Sequence, residues 1–196
     1  MSTTEKTNKI NYGLKNLYYA LITETVTDTG VTVAYATPVR MPGGSSVNFS
    51  ALFEKLAVPA DDDPEYATAY DNKGYEGDAV LYDVPDSFLT DCLGFEVDGV
   101  TVVEKDDAKP APFAFLFEFD GDATKTRYVL YRCTATKPAV TSTTKGNGLT
   151  ANNVTLTLSA GKAKDTGYIK RKVKAADGGT VYENWFKSVC VSGSAE

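Results

Sequence analysis

Phe113-Ala114-Phe115-Leu116-Phe117-Glu118-Phe119 carries a phenylalanine at every second position. Period two is the repeat of a β-strand, so the four rings share one face. Ala114 and Leu116 make the other face apolar as well, which places the strand inside a sheet rather than at its rim. Asp120-Gly121-Asp122 has the composition of a turn, and Tyr128 to Ala135 returns as a second strand. Working outward from this pair, the same alternation recurs along most of the chain.

Upstream, Leu17, Tyr19 and Leu21 fall on one face of a strand and Tyr18, Ala20 and Ile22 on the other, again the pattern of a central strand. Asp28-Thr29-Gly30 turns it into Val31 to Tyr35, a hairpin. Tyr66 to Tyr70 and Tyr75 to Asp83 read as strands around a turn at Asp71-Asn72-Lys73-Gly74, and Phe95 to Glu104 as a short hairpin around Asp98-Gly99. Downstream, Val154, Leu156, Leu158 and Ala160 alternate with Thr155, Thr157 and Ser159, a strand with one wet face. Tyr168 to Val173, a turn at Asp177-Gly178-Gly179, and a terminal segment from Tyr182 to Val191 complete the series. One helix is expected, Pro85 to Gly94, where Phe88, Leu89, Cys92 and Leu93 form an apolar stripe and Gly94 can end it. The expected fold is mainly β: a sandwich or barrel of about nine to eleven strands with one flanking helix. No repeat or break in composition divides residues 1–196, so one domain is expected, with residues 1–9 as a polar, flexible arm.

Residues 37–65 depart from the regular pattern. Pro38, Pro42, Gly43 and Gly44 interrupt it, and Asp61-Asp62-Asp63-Pro64-Glu65 closes it with an acidic loop. The segment reads as a long excursion from the sheet or as an irregular strand pair. It carries Phe49, Leu52, Phe53, Leu56 and Val58, more apolar surface than a solvated loop requires, so these five are the candidate subunit contact; ordinary core packing is the alternative.

The composition excludes most chemistry. The 196 residues are 42% hydrophobic and 23% charged, an ordinary globular balance, and they contain no histidine. Histidine-based triads, general bases and metal sites are therefore absent. Cys92, Cys133 and Cys190 are far apart, form no C-x-x-C pair and each lie in an apolar segment, so they read as small core residues in a reducing compartment. Three acidic groups come into question: Asp61, Asp62, Asp63 and Glu65 could bind a cation but lack EF-hand spacing, and a solvated acidic loop explains them; Asp120 and Asp122 fit a turn, and Asp106 and Asp107 a connector. No catalytic set, cofactor or metal is expected, and no run is long enough for a membrane-spanning helix. The net charge of −6 opposes nucleic-acid binding. Lys170, Arg171, Lys172 and Lys174 form the only basic cluster; phosphate contact, an edge strand guarded by lysine, and pairing with an acidic patch on a neighbouring subunit are its three readings. Trp185, the sole tryptophan, is either a buried anchor or an aromatic platform for sugar.

Several stretches resemble the major tail proteins of long-tailed bacteriophages (siphoviruses) of Gram-positive hosts. They are Tyr12-Gly13-Leu14-Lys15-Asn16-Leu17-Tyr18-Tyr19-Ala20-Leu21-Ile22, Asn72 to Asp78, the helical Pro85 to Gly94, Phe113 to Gly121 with Arg127 to Tyr131 and Cys133 to Thr136, and Asn184-Trp185-Phe186-Lys187-Ser188-Val189. The resemblance runs from about Lys9 to Val191 and contains no catalytic motif. It implies a non-enzymatic virion protein, assembled in the host cytoplasm and located in the tail. It also implies homohexameric rings that stack into a tube. The tube would enclose the tape measure protein, contact the tail terminator and distal tail proteins, and pass double-stranded DNA without specific binding. An acidic lumen would let DNA slide. The competing reading is an immunoglobulin-like adhesion or carbohydrate-binding module.

Overall fold

The computed structural model describes residues 12–121, 124–142, 144 and 151–191. The N-terminal arm expected over residues 1–9 lies outside them, as do Asp122 and much of the loop from Lys137 to Asn153.

The chain is mainly β, as its alternation implies. In order, the elements are β1 (Leu14–Thr27), β2 (Gly30–Tyr35), β3 (Val39–Met41), β4 (Gly44–Ala60), β5 (Asp63–Leu81), α1 (Asp86–Leu93), β6 (Glu96–Asp98), β7 (Thr101–Val103), β8 (Phe113–Phe119), β9 (Thr126–Ala135), β10 (Val154–Gly161), β11 (Lys170–Lys174) and α2 (Ala175–Asn184). Nine strands form one antiparallel sheet in the order β2-β1-β8-β9-β10-β5-β4, with β3 also on β1 and β11 also on β9. β6 and β7 form a separate two-stranded hairpin. The large sheet folds over itself. Phe49 of β4 lies 6.1 Å from Phe115 and 6.2 Å from Phe117 of β8, ring centre to ring centre, although β4 and β8 stand far apart in the strand order. The result is a β-sandwich.

β8 is buried on both faces because each face has its own cover. Phe113, Phe115 and Phe117 enter a core with Leu17, Tyr19, Leu81, Leu130, Leu156 and the α1 residues Phe88, Cys92 and Leu93. Ala114 and Leu116 enter a second core with Ala20, Val129, Tyr131, Trp185 and Val189. α1 ends at Gly94, whose φ of 74° is left-handed and whose N–H bonds back to the Leu89 carbonyl. Tyr19 ties it to the sheet by donating its hydroxyl to Asp91 at 2.8 Å; burial, first, and then that carboxylate push the phenol up to about 12.

Three expectations need correction. Asp71 to Gly74 is not a turn: β5 runs unbroken through it, and Lys73 is the extra residue of a bulge between the Leu52–Gly74 and Phe53–Asn72 pairs. Gly74 is required there, with φ of 102° and no room for a Cβ, which would stand 2.0 Å from the Ala160 carbonyl oxygen. The real turn is Asp61-Asp62, with φ of 50° and 64°, a two-residue loop with both residues left-handed. Second, Asp177-Gly178-Gly179 lies within α2, which bends at Gly179. Third, the terminal segment is not a strand. It begins in α2, and it lays Trp185 and Val189 against the second core. Among the described residues there are therefore two helices where one was expected.

Candidate assembly surface

The β4–β5 hairpin has two halves. In the half nearer the body, β5 is paired on both sides: Tyr75 to Leu81 pair with β10 on one edge and with residues 44–51 of β4 on the other. Beyond Gly74 the β10 partner ends, and residues 52–60 and 63–74 continue as a two-stranded arm. The twelve residue steps from Asp63 to Tyr75 span about 40 Å at roughly 3.3 Å per residue.

This arm holds most of the expected contact residues, and the structure separates them. Phe49 belongs to the body, packed on Phe115 and Phe117, and Leu52 at the bulge is half-buried. Phe53, Leu56 and Val58 are exposed by 63%, 60% and 46%. β5 adds two residues that sequence reasoning passed over, Tyr66 and Tyr70, exposed by 63% and 61%. Their signal was present in the strand pattern, but reading a turn at Asp71 to Gly74 hid their pairing with β4. Residues paired directly across an antiparallel ladder share a face. Lys55 opposes Tyr70 and Phe53 opposes Asn72, and the Phe53 and Tyr70 rings stack with centres 5.5 Å apart. Leu56 opposes Ala69 and Val58 opposes Ala67 on the other face. Both faces of the arm are thus partly apolar, and β4 ends the sheet with an open edge along its length.

Along the arm two ion pairs form between the strands, while Asp71 and the tip carboxylates Asp61 and Asp62 make none among the described residues. Glu54 pairs with Lys73, and Glu65 with Lys55. The lysine beside it holds the Glu54 carboxyl below its ordinary value. Asp63 accepts a bond from the Glu65 backbone N–H at 2.9 Å, which serves the turn. The acidic cluster is therefore the apex of a hairpin. Among the described residues no three histidine, cysteine, aspartate or glutamate side chains gather as a metal site would require.

The basic cluster is β11, which pairs only with β9 and leaves its other edge open. Lys170, Lys172 and Lys174 are exposed on it, while Arg171 and Val173 alternate inward. Lys170 reaches back to Tyr75, its ammonium 2.7 Å from the phenol oxygen. This is an edge strand dressed with lysine.

The remaining candidates for chemistry are structural. Trp185 is 1% exposed and donates its indole N–H to the Tyr128 carbonyl at 3.3 Å, so it is an anchor with no face for a sugar. Glu118 is a buried carboxylate, held by Asn16 at 2.8 Å, the Tyr182 hydroxyl at 3.0 Å and the Arg127 guanidinium at 3.3 Å; it knots β1, β8, β9 and α2 together. Cys92 and Cys133 are buried among apolar side chains, and burial pushes both thiols far up, away from the reactive thiolate. No described helix is long and apolar enough to cross a membrane.

No protein-family model matches this chain, and no curated protein sequence matches it significantly.

Proposed function

We propose that this chain is a self-assembling structural subunit, and more particularly the subunit of a phage-type tail tube. The observation that supports this reading best is the β4–β5 arm. A two-stranded ribbon is marginal by itself in water. This one projects about 40 Å and carries Phe53, Leu56, Val58, Tyr66 and Tyr70 in the open. An apolar ribbon of that length gains its stability by being covered, and a second copy of the chain supplies a cover at any concentration where the protein accumulates.

Two further features agree. The open edges of β4 and β11 are templates for strand pairing between copies, and ring closure removes such edges. The net charge of −6 suits a conduit through which DNA passes without adhering. Arm contacts are heterologous, because an arm meets a different surface on its neighbour; such contacts close into rings or propagate into tubes. The tape measure, terminator and distal tail partners follow from the same reading.

The test is electron microscopy of the purified protein across salt and concentration. Rings or hollow tubes are expected. Replacing residues 54–71 with Asn-Gly closes the hairpin at Phe53 and Asn72 and is expected to leave a folded monomer. A strictly monomeric wild type, or tubes that survive loss of the arm, would overturn the reading.

A further inference from the structure

The arm is an obvious contact, but its receiving surface is not given by its apolar residues alone. The charges narrow the choice. Four carboxylates, Asp61, Asp62, Asp63 and Glu65, crowd the tip, and Asp61 and Asp62 have no cationic partner among the described residues. The other acidic hairpin, β6–β7, is less dense: Glu96 pairs with Lys105 and Glu104 with Lys137, which leaves Asp98 alone at its turn and Asp106 and Asp107 beyond it without an ion pair among the described residues. The densest run of acid at an exposed extremity is therefore the arm tip, with four carboxylates in residues 61–65.

The complementary surface is equally restricted. Most lysines and arginines with a defined contact meet a carboxylate of their own: Lys15 and Lys125 with Asp120, Arg132 and Lys164 with Glu24, Arg127 with Glu118. Arg40, Lys109, Lys162 and Lys187 make no ion pair among the described residues, but they stand singly, whereas β11 gathers its cations on one strand. Lys172 and Lys174 stand exposed on an open strand edge with no ion pair among the described residues, and Lys170 contacts only the Tyr75 phenol. One carboxylate, Asp177, shares a shallow groove with Lys172, so the strip keeps a positive excess.

The two surfaces cannot meet within one molecule. β4 and β5 are paired from the body to the Ala60–Asp63 closure, so the tip stands about 40 Å from Tyr75, while Lys170 touches Tyr75 itself. We infer that the acidic arm tip of one copy docks on the lysine edge of β11 in another copy. This rests on the assembly reading above and names the two surfaces it joins. The occupant of β11 is a second copy of this chain, recognised by charge, with the apolar arm faces supplying adhesion and the charges supplying register.

The test is a charge exchange. One variant combines Asp61→Asn, Asp62→Gly, Asp63→Lys and Glu65→Lys; it gives up the Asp63 turn bond and the Lys55–Glu65 pair, and Asn-Gly, which suits the left-handed turn, offsets that loss. The second combines Lys172→Glu and Lys174→Glu. Assembly is followed by light scattering against concentration and by electron microscopy, with circular dichroism as the check on folding. Each variant alone is expected to raise the concentration needed for assembly about tenfold or more, the scale of a few exposed pairs lost together. An equimolar mixture of the two is expected to restore assembly, because in an alternating arrangement the lysine tip of one meets the glutamate edge of the other and the native acidic tip meets the native lysine edge; a mixture that stays unassembled would count against the docking pair. The doubly exchanged chain is expected to assemble within about threefold of wild type. Wild-type assembly should also weaken as salt rises from 0.05 to 0.5 M, by screening (these are the two conditions to be used). If the wild type assembles and the doubly exchanged chain does not recover, the docking pair is wrong while the assembly reading stands. If either single exchange assembles like wild type, the pair is likewise wrong. If the wild type never assembles, both fall.

Discussion

Phe49 and Phe53 sit four residues apart on the same strand, and they have opposite fates. Phe49 stacks on Phe117 inside the sandwich, whereas Phe53 stacks on Tyr70 in the open. The difference is not in the residues or in the pairing of β4 with β5, which is continuous except for bulges. It lies in what covers them. Below Gly74, β10 pairs with β5 and β8 faces β4; above it, both covers are gone. Hydrophobicity in a sequence therefore reports that burial is sought, and the rest of the fold decides whether the chain itself provides it.

That contrast is testable through stability. Phe115→Ala in the body removes a ring buried to 1% exposure and leaves a cavity. It is expected to cost about 3–5 kcal/mol in denaturant unfolding. Phe53→Ala in the arm removes a ring of the same size and is expected to cost no more than about 0.5 kcal/mol in the monomer. Equal costs for the two would mean that the arm packs on its own body, and the two-region description would fail.

The boundary is the next place to press. Gly74→Ala puts a Cβ against the Ala160 carbonyl oxygen and forces a left-handed backbone on an L-residue. A cost of roughly 1–3 kcal/mol is expected, with faster amide exchange where Tyr75 pairs with Ala160. A neutral result would show that β5 does not hold this bulge in solution.

The arm itself should separate assembly from folding. Phe53→Ser with Leu56→Ser strips one apolar residue from each face of the ribbon and is expected to change monomer stability by less than about 0.5 kcal/mol while abolishing assembly. Retained assembly, seen by sedimentation, would move the contact elsewhere.

The same contrast explains what the sequence could and could not disclose. β8 was legible because its alternation is long and both of its faces are apolar. α1 was legible because a helical stripe ends in a glycine suited to a left-handed cap. The β1–β2 and β6–β7 hairpins announced their turns. The arm was half legible: Leu56 and Val58 marked it as too apolar for a loop. Its length was not, because Asp71-Asn72-Lys73-Gly74 has turn composition while its glycine serves a bulge, and composition does not distinguish the two. α2 was lost for a related reason. Gly178 and Gly179 weaken any helix signal, and the segment is held by Trp185 in the second core, a tertiary contact that no local window contains. The basic strand was readable as a cluster, but its lack of carboxylate partners emerges only when the packing around each of its lysines is known.

The smallest expected effect compares ion pairs in the two regions. In the body, Glu24 of β1 accepts a bond from Arg132 of β9 at 2.7 Å and from Lys164 at 2.5 Å, joining segments far apart in sequence. Arg132 first, and Lys164 second, hold its carboxyl below the ordinary glutamate value of 4.5. A carboxyl lowered in the folded state contributes stability that is fully present above its unfolded pKa and lost as pH falls through the folded one. Glu24→Gln should therefore cost about 0.5–1 kcal/mol near neutral pH, and the gap between variant and wild type should close as the pH falls below 4.5. Glu54 in the arm is lowered in the same direction by Lys73, but water surrounds the pair and the arm is not part of the cooperative core. Glu54→Gln is expected to leave the thermal midpoint unchanged at every pH. A gap for Glu24→Gln that widened in acid would reverse the assigned sign, and a Glu54→Gln effect as large as that of Glu24→Gln would mean that the arm unfolds with the body.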